Sequence, residues 1–517
     1  MIDKAQAPRQ ARDLVHNSTS RKCGRRQARS IRRERALSCL SALALVFGTA
    51  PAPAAAPEMN RIRRVETGLL SAVVLKGHPA PMRLADRMAY YHVPGVSIVV
   101  INNGEIEWAK GYGIVEAGGR TPVTPRTRFQ AASISKPVTA MAALALVQQG
   151  ALSLDEDVNR KLKSWHVPDG QFTSREKVTL RRLLNHSAGI TGADVGSYAA
   201  GQALPTLVQA LNGEKPANTA PIRVDVPPGS KWRYSGGGYS VVQLLMTEVT
   251  GKPFAGLLQE LVLNKIGMTD STFEQPLPEE GKAVSATGHD VNGHRIEGRW
   301  RTFPEAAAAG LRTTASDLAR FTIEVQRSVR GTSNKVVSVD TARQMLTRQL
   351  GDYGLGIGLG GTGKGRNFSH AGWNEGFTCI LFGYLDTGQG AIVMTNGDAG
   401  DNLFNEILRS ISREYGWPDY QPIEKAVTRV DPAGFRSYVG RYDASGLRTI
   451  ISSAKGHLYL VAQPLGPRPL KLYPSGGDRF FMLDRDVEVS FIKDARGNVT
   501  GLEARSPGQI MTATKVN

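Results

Sequence analysis

The sequence predicts an α+β protein in which an antiparallel sheet flanked by helices is followed by a small C-terminal all-β, barrel-like domain. Three observations lead there. Strand-like alternation marks residues 94–113 and returns at 376–398, on either side of a helix-rich middle. Beyond residue 431, short alternating runs recur every 8 to 12 residues or so, the rhythm of a small sandwich or barrel. A chain of 517 residues, 41% hydrophobic and 21% charged, is also too long for one compact domain and too ordinary in composition for disorder. The expected division is a basic N-terminus and signal segment over 1–54, a main domain over 55–420 and a barrel over 431–517.

The N-terminal segment accounts for much of the net charge of +18. Residues 1–56 hold eleven Lys or Arg against three acids, which leaves +10 for the rest. The basic residues crowd before an apolar run, Ala36 to Ala50, and a small-residue stretch ends at Ala56. That order reads as a secretory signal cut after Ala54, at the Ala-x-Ala step of Ala52 and Ala54. The run is short for a bilayer span, which needs roughly 20 residues, and an uncleaved anchor is the alternative. The 35 residues before the apolar run fit either a start downstream of Met1 or an extended basic region. Export makes the protein periplasmic or secreted. Of three cysteines, Cys23 and Cys39 leave with the signal, so only Cys379 remains and no internal disulfide forms. Cys39 lies at the beginning of the apolar run rather than its end, which argues against lipidation.

In the main domain, PGVSIVVINNGEIEWAKGYG alternates about Asn103-Gly104, a strong hairpin signal. FQAASISKPVTAMAALALVQQG places Pro137 early and Gly150 after an Ala/Leu/Met run, a buried helix with both ends marked. Further helices are expected at VTLRRLLNH, at GGYSVVQLLMTEVTG ending at Gly251, at TTASDLARFTIEVQ with Ser316 as cap, and from Leu403 to Tyr415. GFTCILFGYL and GAIVMTNGD read as strands. After Pro418 the character changes, and RTIISSA, HLYLVAQ, LKLYP, RFFML, VEVSFIKD and VTGLEARS supply the short strands of the C-terminal domain.

Ser133-Ile134-Ser135-Lys136 fits S-x-x-K, a spacing that puts both side chains on one helical face. The same spacing occurs at Ser174/Lys177, Ser452/Lys455 and Ser490/Lys493, but only Ser133 leads a long apolar helix. There the helix N-terminus offers a positive dipole, and a desolvated lysine releases its proton more readily and can take that of Ser133. No G-x-S-x-G elbow occurs, which removes the α/β-hydrolase alternative. His289 and His294 have no third ligand in sight, and HExxH and Cys pairs are absent, so no metal is expected.

Further segments follow Ser133 in order: LLNHSAGI with His186, YSGGGY at Tyr234 to Tyr239, GLRTTASDLARF, and SHAGWNEGF at Ser369 to Phe377. With PGVSIVV and FQAASISKPVTA they resemble the serine β-lactamase and penicillin-binding-protein superfamily over roughly residues 80 to 415. The likeness is to its class C-like branch with D-aminopeptidases and carboxylesterases. The resemblance implies Ser133 as acylated nucleophile, Lys136 as its proton-sharing partner and Tyr234 as the second-motif tyrosine. It implies His370-Ala371-Gly372 as the third motif and the N–H groups of Ser133 and Trp373 as the oxyanion hole. His186 is expected to shape the surroundings. The C-terminal module is similar to the lipocalin-like barrels of some relatives; it can cover the cleft, bind a ligand, mediate assembly or simply stabilise.

Two departures from the family pattern bear on substrate. Gly236 stands where the second motif usually has Asn, so a side-chain amide is missing. His370 replaces a lysine, and a largely neutral imidazole removes a fixed charge for a substrate carboxylate. Both changes favour an ester, or a peptide or amide with a small or D-residue, over efficient β-lactam turnover. A β-lactamase or D,D-carboxypeptidase is the enzyme alternative, and a non-catalytic peptidoglycan or ligand sensor the alternative of another class. No cofactor is expected. The +10 outside the signal reads as a solvated surface with room for cell-wall association, and nucleic acid is not an expected partner.

Overall fold

The computed structural model describes residues 56–192, 195–462 and 465–516. The basic segment, the signal cleavage site after Ala54, Cys23 and Cys39 lie outside the described residues. Among the described residues, no helix is long and apolar enough to cross a membrane.

The main sheet has six antiparallel strands in the order Glu105–Gly113, Gly95–Asn102, Gly390–Thr395, Phe377–Tyr384, Asn367–Asn374, Gly358–Gly360. Its first two strands are the hairpin turned by Asn103 and Gly104, both at positive φ (53° and 73°), as a two-residue turn of this hand requires. Residues 95–113 and 358–395 thus meet in one sheet across the helix-rich segment between them, and the sheet's apolar residues divide by the period of two. Val99, Ile101, Cys379, Leu381, Ile392 and Met394 face one core, while Val96, Ile98, Ile380, Phe382, Ala391 and Val393 face the other.

The second core is closed by the helix Gly400–Tyr415, whose Leu403, Phe404, Ile407, Leu408 and Ile411 repeat at the spacing of a single helical face. The first core holds the helices Ser135–Gln148, Gly236–Thr250 and Ala315–Val329. Ser135–Gln148 is buried on every side from Ser135 to Leu146, which explains why its sequence is apolar throughout rather than striped. Gly150 and Gly251 follow their helices at positive φ, as expected of terminating glycines. One expected cap is corrected: Thr314 rather than Ser316 caps the helix Ala315–Val329, its Oγ1 accepting from Asp317 N at 3.1 Å. Ser316 already lies inside the first turn, where its hydroxyl has no free N–H to cap.

The C-terminal strands close into an eight-stranded antiparallel barrel spanning Gly440 to Val516. Closure uses two strands absent from the sequence reading, Gly440–Ala444 and Gln509–Val516, which pair with each other through Arg441↔Val516 and Tyr442↔Lys515. The barrel is tied to the sheet domain at its Phe481–Glu488 connection. Val73 N donates to Leu483 O at 2.9 Å, Lys425 pairs with Asp486 at 3.1 Å, and Arg485 lies 3.5 Å from Asp401.

Candidate active site

Ser133 sits in the short 3₁₀ turn Ala132–Ile134 that opens into the helix Ser135–Gln148. Ala132, just before it, has φ of 48°, a left-handed conformation that costs a residue with a Cβ about 1–2 kcal/mol. The turn is pinned from three sides. Ser135 Oγ donates to Ala132 O and accepts from Leu311 N, Ala131 N donates to Leu311 O, and the buried Cys379 thiol donates to Ala131 O. The neighbouring strand then passes at backbone distance, because a Cβ on Gly372 would stand 2.3 Å from Ala131 O. Glycine is the residue that lets the third motif lie against the nucleophile.

Two proton-carrying groups meet the Ser133 hydroxyl. Lys136 Nζ donates to Ser133 Oγ at 3.0 Å and the Tyr234 hydroxyl donates to it at 2.8 Å. Lys136 is 2% exposed and also donates to Ala308 O at 2.8 Å, with its ammonium 4.9 Å from the centre of the Tyr234 ring. With Lys136 about one helical turn beyond Ser133, the S-x-x-K spacing does place both groups together. The other three matches to that spacing lie in turns or barrel strands. Tyr234 is delivered by the segment before the helix Gly236–Thr250, capped by Ser235, whose Oγ accepts from Gly238 N at 2.9 Å. Gly236 is the first residue of that helix and is buried, so no side-chain amide stands at the second-motif position.

Both histidines near the site are neutral. His370 donates from Nδ1 to Ala371 O at 2.7 Å, which leaves Nε2 to accept from the Tyr353 hydroxyl at 3.1 Å. Burial, and secondarily the Lys136 charge, push its pKa down to about 3. His370 therefore carries no charge at neutral pH, and its two nitrogens bond to groups other than Ser133. His186 accepts from Ser235 N through Nδ1 at 3.2 Å and lies among the rings of Trp232, Tyr234, Tyr239 and Tyr353, 4.4 to 6.0 Å between centroids. Burial holds its pKa well below the ordinary value, with Lys136 adding to the effect. It supports the tyrosine from behind. His289 is likewise structural: Nδ1 donates to Asn396 O and Nε2 accepts from Ala117 N. Among the described residues no cluster of ligating side chains is disposed to hold a metal.

Ser133, Gly372 and Trp373 line a cleft of about 570 Å³. Trp373 is 62% exposed at its mouth, far more than an aromatic side chain that serves only packing. The cleft has features the sequence did not disclose. Asp398 lies in it, accepting from Gly376 N at 2.6 Å, and burial followed by the nearby Glu375 and Asp290 raises its pKa to about 6. The far wall comes from the barrel: Leu465, Arg468, Leu470, Asp484 and Arg485. Ala308, Tyr353 and these barrel residues stand far from the motifs in sequence, and no local pattern marks them; Asp398 closes the run GAIVMTNGD that was read as a strand, and that reading gave it no role in the site.

A buried lysine and a tyrosine converge on a serine at the start of a helix, beside the edge of an antiparallel sheet, the arrangement that a serine hydrolase of acyl-enzyme type requires. The sequence agrees: the family model described as Beta-lactamase matches residues 83–412, and the chain belongs to that family. Penicillin-binding protein 4* of Bacillus subtilis (strain 168) is 23% identical over 437 residues, which cover 79% of this chain and 92% of that protein. Among solved structures, the octameric penicillin-binding protein homologue from Pyrococcus abyssi is similar with a TM-score of 0.56 at 21% identity, over 83% of this chain and 98% of its own. EstCE1, a hydrolase with promiscuous acyltransferase activity, is similar with a TM-score of 0.53 at 18% identity, over 69% of this chain and 100% of its own. These two likenesses establish the fold.

Proposed function

We propose that the protein is an exported hydrolase that forms an acyl-enzyme on Ser133 from small esters, or from short peptides and amides with a small or D-configured residue, and releases the acyl group to water. The observation that carries this reading is the pair of contacts, 3.0 and 2.8 Å, that Lys136 and Tyr234 make with Ser133 Oγ at the floor of an open cleft. In the proposed cycle the Lys136–Tyr234 pair reacts in the form that holds one proton fewer than an ammonium beside a phenol: Ser133 Oγ attacks the carbonyl carbon, its proton passes to that pair, and the pair returns it to the leaving group as the bond from the carbonyl carbon to that group breaks. The N–H groups of Ser133 and Trp373 receive the oxyanion, and water then attacks the ester in the same geometry. The neutral His370 and the bare Gly236 support uncharged or small substrates over β-lactams, because the third motif offers no cation to a carboxylate and the second no amide. Export rests on the basic segment and apolar run before Ala54.

Brief exposure to a reactive aryl acyl ester, an acid quench and intact-mass reading with peptide mapping test this. One acyl adduct on Ser133, absent in Ser133→Ala, is expected. Tyr234→Phe is expected to slow acylation by about 10²–10⁴-fold, the usual weight of a positioned acid or base. A folded protein that takes no adduct overturns the hydrolase and supports a ligand-binding sensor.

A further inference from the structure

The barrel is packed unevenly. At one end the rings of Phe435, Tyr438, Phe480 and Phe491 meet at 4.3 to 6.5 Å between centroids and fill the interior. At the other end, where the strand connections at 444–447, 481–488 and 506–509 lie, a cavity of about 150 Å³ is lined by Leu460, Ala462, Met482, Leu502, Ala504 and Met511 among others. Short and flexible side chains stand where aromatic ones fill the opposite end, so the sequence itself keeps this space open. An apolar cavity of this size accommodates a benzene-sized group.

That end of the barrel is the end at the catalytic cleft. Leu465 lines both the barrel cavity and the cleft that contains Ser133. One connection also serves both spaces: Met482 lines the barrel cavity, while Asp484 and Arg485, two and three residues on, line the cleft. The cleft and the apolar lumen therefore adjoin at Leu465 and at the connection that carries Met482, Asp484 and Arg485.

We propose that the barrel lumen binds a short apolar chain, of about the bulk of a benzene ring or a hexyl group, and that this chain is the tail of the compound whose carbonyl meets Ser133. The second half of the statement rests on the acyl-enzyme reading above; the first does not. The lumen then acts as a length gauge, and the barrel is a substrate-binding part of the enzyme rather than a stabilising appendage.

The test compares 4-nitrophenyl acetate with 4-nitrophenyl hexanoate on the full chain. The hexanoate is expected to have a kcat/KM at least about tenfold higher, since four further methylenes leave water. Ala504→Phe, which fills the lumen, is expected to reduce that ratio to about twofold or less, on the same area argument, the loss falling on the hexanoate. An unchanged ratio in the filled variant, or a wild-type enzyme indifferent to length, overturns the proposal. A second measurement needs neither turnover nor the filled variant. In Ser133→Ala labelled at methionine methyls, 1-hexanol is expected to shift Met482 and Met511 saturably and to leave the distant Met141 and Met246 unmoved. No saturable shift at either lumen methionine overturns the lumen site. Saturable shifts in a protein that hydrolyses neither ester keep the lumen site and remove the hydrolase reading.

Discussion

His370 and Asp398 titrate in opposite senses, and each leaves a signature in the pH dependence of stability. The His370 pKa is pushed down to about 3, from an ordinary value near 6.5. Below pH 6.5 the unfolded chain binds a proton that the folded one refuses, so stability is lost as pH falls through that range, by about 1.4 kcal/mol per pH unit. His370→Gln is expected to remove about 2 kcal/mol of the wild-type loss between pH 6.5 and 5, measured by urea unfolding. Parallel losses in the two proteins would refute a neutral His370. Asp398 is the reverse case, its pKa raised to about 6 by burial and then by Glu375 and Asp290. The folded protein keeps a proton that the unfolded one has lost, so this contribution is present at low pH and disappears as pH rises through 6. Asp398→Asn, whose Oδ1 can still accept from Gly376 N, is therefore expected to raise Tm more at pH 7.5 than at pH 4. Equal shifts at the two pH values would show that the carboxylate is not held in this state. The sequence already made His370 a motif position with a largely neutral imidazole; what it did not show is how far burial by elements remote in the chain, and then Lys136, push its pKa down, or that Asp398 lies in the cleft.

At the scale of elements, the strand Asn367–Asn374 and the turn Ala132–Ile134 act as one unit, joined where Gly372 passes Ala131. A methyl group there meets a backbone oxygen at 2.3 Å and the Cys379 sulfur at 2.8 Å, neither of which is the far end of a flexible side chain. Gly372→Ala must therefore part the strand from the nucleophile. The expected result is a fall in the acylation rate of about 10²-fold, the effect of a misplacement near 1 Å, together with a lower Tm. Loss of Tm with an unaltered acylation rate would mean that the strand does not position the nucleophile. This element pair also shows what a sequence can and cannot disclose. The S-x-x-K spacing, the glycines that end helices and the Asn103-Gly104 turn are local, and the period of two assigned both inner strands correctly. The strands Gly440–Ala444 and Gln509–Val516 escaped, although each also forms a local hairpin with its chain neighbour, because each buries a single residue, Tyr442 and Ala513, and so shows little apolar alternation, and the Thr314 cap because a neighbouring serine has the same chemistry. Ala308, whose carbonyl holds Lys136, contributes only backbone and so leaves no mark in the sequence.

For the whole molecule, the question is whether the barrel is an independent body. The described residues between 56 and 516 belong to one compact unit, and the cleft itself is walled by both the sheet domain and the barrel. The joint is made from the Phe481–Glu488 connection. It is hydrogen-bonded to Val73, and Asp484 reaches the Arg87–Glu406 pair, with Arg87 at 2.7 Å from Glu406 and 3.7 Å from Asp484. Burial opposes the charge on Arg87, but Glu406 outweighs it and the guanidinium is held well above its ordinary pKa. A barrel anchored in this way cannot release its connection without disturbing the helices that cover the second core, so thermal unfolding is expected as one calorimetric transition. Arg485→Ala with Asp486→Ala cuts the partners of Asp401 and Lys425, both half-exposed pairs worth about 0.2–1 kcal/mol each. The double variant should keep a single transition and lose about 2 degrees of Tm or less, a loss that about 0.5 M salt largely erases because exposed pairs are screened. Two separated transitions in the wild type would instead make the barrel a free-standing module, and the wall it contributes to the cleft would then be a movable one.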